Sequence, residues 1–137
     1  MSATHIPAHI RRLVSERAAG RCEYCQVFDT LVLAAHEIDH IVAEKHGGLT
    51  EANNLALACA LCNKRKGSDL ASLDPDTGEL TPLYHPRQHN WAEHFRWDGA
   101  RITALTPIGR ATVRLLQLNS PTRLAEREWL SAAGLLS

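Results

Sequence analysis

The chain has 137 residues, with 15 basic residues balanced by 15 acidic ones. That length suits one domain, or a small core with extensions, and excludes a fold too small to bury a core. Neutrality argues against a broadly basic nucleic-acid coat, and no run reaches the ~18–20 apolar residues of a membrane helix, so a soluble protein in a reducing, cytoplasmic setting with no membrane partner is expected.

The first element reads as a helix within residues 1–20. Pro7 suits a first helical position, Ile10, Leu13, Val14 and Ala18 form an apolar stripe, and Gly20 ends it. Residues 21–70 follow as a distinct segment. β-compatible runs lie at Thr30 to Ala35 and Ala35 to Val42, Gly47-Gly48 makes a loop, and Glu51 to Leu57 reads as loop or short turn. A helix is expected from about Cys59, carrying Asn63 through Asp69. Residues 72–82 are dense in turn formers and read as a connection.

Beyond that, His94 to Trp97 and Arg101 to Leu105 flank an Asp98-Gly99 turn as a hairpin. Thr106-Pro107 and Ser120-Pro121 are cap-and-proline signals for two more helices, the last stopping near Gly134. The expected class is α+β with strands in two short pieces. A helix at 1–20, a core at 21–70 and a hairpin-plus-helix extension at 71–137 packed on that core would make one domain overall.

All four cysteines fall in the core segment, as Cys22-Glu-Tyr-Cys25 and Cys59-Ala-Leu-Cys62, with 33 residues between the pairs. Four thiolates in two CxxC knuckles match the tetrahedral preference of a structural Zn²⁺. The gap exceeds the ~15–20 residues of a simple zinc ribbon, so a substantial insert is folded between the knuckles. Neither pair has the βαβ surroundings of a redox CxxC.

That insert holds Asp39-His40, and Asn63 follows the second knuckle directly. A carboxylate and an amide oxygen suit a hard divalent ion such as Mg²⁺, which keeps several waters. Adjacent residues on a regular strand leave by opposite faces, which separates the ion ligand Asp39 from the imidazole of His40. Histidine is the side chain suited to taking a proton from water near neutral pH. By the same alternation His36 shares the face of His40 and Glu37 that of Asp39.

The residues Cys22, Cys25, Glu37-Ile-Asp-His-Ile41, Gly47-Gly48, Asn54-Leu55, Cys59, Cys62-Asn63 and Lys66 together resemble the HNH endonucleases, in the subgroup whose ββα-metal finger is stapled by two zinc-binding CxxC pairs. The resemblance implies that His40 is the general base and that Asn54 clamps the loop and orients the histidine. It also implies that Asp39 and Asn63 hold the catalytic ion, Mg²⁺ or another divalent such as Mn²⁺ or Ni²⁺. Asn63 stands where the family often has a histidine. Lys64, Arg65 and Lys66, just beyond, are candidate phosphate contacts. The aromatic and basic residues of Tyr84 to Trp97 mix stacking and charge, and are expected mainly to pack a core.

The expected function is metal-dependent hydrolysis of DNA phosphodiester bonds. The alternative is a zinc-finger module that binds nucleic acid or protein without cutting.

Overall fold

The computed structural model describes residues 5–32 and 34–136. Residues 1–4 of the first expected helix, and Leu33 in the first β-compatible run, lie outside the described residues. The class is α+β, with five α-helices and three two-stranded antiparallel sheets among the described residues. Two compact units are formed, one from residues up to 70 together with 85–89, the other from 71–84 together with 90 onward. No helix among the described residues is long and apolar enough to cross a membrane.

In the first unit, α1 (Ala8–Arg17) starts one residue after Pro7, which caps it at φ −58°. Gly20, at φ 73°, takes the left-handed conformation that lets its N–H return to the Ser15 carbonyl and close the helix. The stripe is narrower than expected. Ile10, Val14 and Ala18 pack with Ile6, Ile38, Leu55 and Leu57, whereas Leu13 is 45 % exposed. Each fully buried aliphatic side chain contributes about 1.5–3 kcal/mol, so this small cluster is enough to seat α1 on the sheet.

That sheet pairs β1 (Glu37–His40) with β2 (Leu55–Ala58), Ile38 opposite Leu57 and His40 opposite Leu55. Strand alternation gives it two different faces. Ile38, Leu55 and Leu57 turn to α1, while the buried Ala56 and Ala58 share the other face with Asp39. Among the described residues of Thr30 to Ala35 no strand forms; Asp29–Leu31 is a 3-10 turn instead. Leu55-Ala-Leu-Ala58, read partly as loop, is a strand because pairing with β1 and burial of alternate leucines outweigh the weak β-propensity of alanine. Helix α2 (Ala60–Lys66) is capped by Cys59 and ends at Gly67 rather than running to Asp69.

In the second unit the turn-rich stretch is itself a hairpin, β3 (Ala71–Leu73) with β4 (Leu80–Pro82). Asp74 folds its turn, accepting from the Asp76 N–H and the Thr77 hydroxyl and pairing with both Nε and Nη2 of Arg110 at 2.8 and 2.7 Å. A short α3 (Trp91–His94) leads into β5 (Phe95–Asp98) and β6 (Arg101–Ala104), joined at Asp98-Gly99. Thr106 accepts from Gly109 N–H to cap α4 (Pro107–Leu115), and α5 (Pro121–Ala132) follows Ser120. Tyr84, Trp91, Phe95 and Trp97 pack ring on ring, with centroids 5.2–5.7 Å apart.

Candidate metal centre and active site

The four cysteines are buried, and their sulfurs all lie within 4.8 Å of one another. A tetrahedron with Zn–S bonds of about 2.3 Å has edges of about 3.8 Å; the Cys25 and Cys59 sulfurs stand 3.7 Å apart. Each knuckle folds around its first sulfur. Cys22 Sγ accepts from the Cys25 N–H, and Cys59 Sγ from the Cys62 N–H, both at 3.4 Å. Gln26 turns the first knuckle at φ 70°, and Glu23 pins it to β2 through its own N–H to Leu57 O and its carboxylate to Leu57 N–H. Burial pushes the Cys22 and Cys62 thiols well up. Four sulfurs gathered this closely in a buried site, with no disulfide, make a donor set that fits a structural zinc ion.

The helix that begins at the cage carries its consequences forward. Cys59, Cys62, Asn63 and Lys66 follow the i, i+3, i+4, i+7 spacing of one helix face. Since both cysteines point inward, Lys66 does too, and it is 2 % exposed. Its ammonium lies 3.2 and 3.3 Å from the two oxygens of Asp39 and donates to the carbonyls of Ile41 at 3.0 Å and His40 at 3.3 Å. Lys66 is therefore not placed as the surface phosphate contact that its position after Lys64 and Arg65 led one to expect. Those two side chains are exposed.

Asp39 sits on the α2-facing side of β1, 5 % exposed. Its Oδ2 also accepts from the Tyr24 hydroxyl at 2.9 Å. Burial raises the Asp39 carboxyl, and the charge of Lys66 and the Tyr24 hydrogen bond offset part of that. Burial, then the charge of Asp39, pushes the Tyr24 phenol well up, so its proton stays and it acts as a donor. Oδ1 receives one long bond, from Lys66, which leaves it acceptor capacity. Asn63 is half-buried on the same helix face as Lys66, and carboxylate and amide oxygens are the donor types that a hard divalent ion takes.

His40 leaves β1 by the opposite face and is half-buried, its Nε2 2.9 Å from the Thr50 hydroxyl. Asn54 holds the intervening loop. Its Oδ1 accepts from Val42 N–H, and its Nδ2 donates to the carbonyls of Val42 and Leu49, all at 2.9 Å. Gly48 is required there, since a Cβ on it would lie 1.7 Å from the Val42 carbonyl oxygen. His36 is elsewhere; it precedes β1 and bonds Val27 O at 2.8 Å through a buried ring. Sequence reasoning did not single out Thr50 or Tyr24. Thr50 carried no signal of its own, whereas Tyr24 stands inside a CxxC.

Residues 22–69, about a third of the chain, match the family model of the HNH endonucleases. No curated protein and no solved structure matches the chain.

Proposed function

From an HNH endonuclease domain that spans residues 22–69 and encloses a four-cysteine metal site, we infer that the protein is a metal-dependent endonuclease acting on DNA phosphodiester bonds. The observation that carries this reading is that Asp39 and His40 stand side by side at the end of β1, His40 beside Thr50 and Asp39 against the helix of Asn63.

His40 is the general base. Its ring is oriented by the Thr50 hydroxyl, and it takes a proton from the water that attacks phosphorus. Asn54 keeps the Val42–Leu49 loop closed, which fixes the backbone leading to Thr50. Asp39 and Asn63 would hold a divalent ion, Mg²⁺ or a substitute such as Mn²⁺ or Ni²⁺; when bound it supplies positive charge at the phosphate and the departing 3′ oxygen. The exposed Lys64 and Arg65 draw the DNA backbone without reading sequence. Zinc in the cysteine cage holds the ββα unit together, and a reducing cytoplasmic setting would keep its thiols available.

Supercoiled plasmid treated with metal-stripped protein, then with Mg²⁺, Mn²⁺ or Ni²⁺, tests this. Wild type should cut only with added ion, and His40→Ala should lose cutting while keeping zinc and fold. Cleavage retained in His40→Ala removes it as the base. Binding without any metal-dependent cleavage favours a non-catalytic zinc-finger module, a reading that the burial of Asp39 against Lys66 also favours.

A further inference from the structure

We propose that the cysteine cage sets the carboxylate of Asp39: Tyr24 from the first knuckle positions it for the ion, and Lys66 from the helix opened by the second holds the place of a cation beside it. The proposal rests on the reading of Asp39 as the ion ligand.

Both donors descend directly from the cage. Tyr24 lies between Cys22 and Cys25, so an ion bound to both sulfurs fixes its backbone on either side. Its ring is 1 % exposed, and its hydroxyl reaches Asp39 Oδ2. Lys66 stands four residues after Cys62 on the inward face of α2, a helix whose first residue is set by the Cys59 cap. Glu23 ties the same knuckle to β2 through Leu57, and β2 is paired to β1 with Ala56 opposite Asp39. The carboxylate is thus located from three sides by elements the cage draws together.

A structural purpose alone does not require this chemistry. Burying an ammonium and a carboxylate costs desolvation that an apolar pair of similar volume would avoid. The arrangement instead holds a buried carboxylate between two donors, with Oδ1 the less occupied oxygen. Lys66 holds the position of a cation, donating to one carboxylate and two backbone carbonyls. Zinc binding is then the first event and divalent-ion binding at Asp39 the second, coupled through Tyr24 and Lys66.

Mn²⁺ titration of zinc-loaded protein by electron paramagnetic resonance tests the coupling, with Asp39→Asn as the reference for binding at this carboxylate. Tyr24→Phe should keep its zinc and fold, with a somewhat lower melting temperature, yet bind Mn²⁺ about tenfold more weakly, the cost of losing a partner that orients a ligating carboxylate. Lys66→Met leaves a buried carboxylate without its cation, so Mn²⁺ should raise its melting temperature more than it raises that of wild type. Wild-type Mn²⁺ affinity in Tyr24→Phe overturns the proposal. So does a Lys66→Met melt that responds to Mn²⁺ no more than wild type, which decides the matter independently should Tyr24→Phe lose zinc. Wild type lacking any Asp39-dependent Mn²⁺ binding is a different failure: it removes the ion-site reading itself, and the proposal with it.

Discussion

Replacing Asn54 with alanine removes three hydrogen bonds that hold residues 42–49 in a closed loop. Two of them join half-buried Val42, and each contributes about 1 kcal/mol net. The third goes to Leu49, which is 60 % exposed, where water replaces the amide at little cost. The expected loss is therefore about 2 kcal/mol of local stability, or roughly thirtyfold in the opening equilibrium of the loop. Hydrogen exchange reads it directly, because the Val42 N–H donates to the Asn54 side chain whereas the neighbouring Ile41 N–H donates to the Asn54 backbone carbonyl at 2.9 Å. Val42 protection should fall about thirtyfold in Asn54→Ala, with Ile41 much less affected. Asn54→Asp keeps the acceptor but turns a carboxylate toward two carbonyl oxygens, so its loss should be at least as large. Unchanged Val42 protection in both variants would refute the clamp and leave Gly48 and the backbone turn as what closes the loop.

Two further outcomes are expected. Cys59→Ser should lose zinc and lower the melting temperature together, by about 10 °C or more, because structural zinc contributes folding free energy; atomic absorption and thermal melts check this, and a fully loaded, fully stable variant removes the cage assignment. In the second unit, the hydrogen bonds from Arg110 hold the Asp74 carboxyl well below the usual carboxylate range. A depressed pKa contributes stability that is present above the ordinary carboxylate pKa and lost as pH falls toward the folded value. Unfolding followed by tryptophan fluorescence, with Trp91, Trp97 and Trp129 all in that unit, should therefore weaken on acidification below about pH 4, and Asp74→Asn should flatten that decline. An acid profile identical in the variant would exclude Asp74 as its source.

What could be read before folding was whatever local spacing dictates. Two CxxC pairs specify a four-sulfur cage because each pair turns within itself and needs only to meet the other. Thr106-Pro107 and Ser120-Pro121 start helices because capping and a fixed proline φ act within a few residues. Where the outcome depends on a distant partner, local reading went astray. Leu55–Ala58 is a strand only because β1 lies beside it, and residues 71–82 form a hairpin around a turn that Asp74 folds and Arg110 holds from another helix. Lys66 is the sharpest case. In Lys64-Arg65-Lys66 it looks like one more surface base, although its spacing from Cys59 and Cys62 already pointed inward. Tertiary structure alone decided what it meets there: the pairing of β1 with β2 sets Asp39 on the buried face, and the cage brings Tyr24 and α2 to the same carboxylate. Sequence thus determined the ligands of the cage and the residue types available for catalysis. The tertiary structure decided which of the charged ones face solvent and which face one another, because burial and pairing depend on surfaces that sequence neighbours do not share.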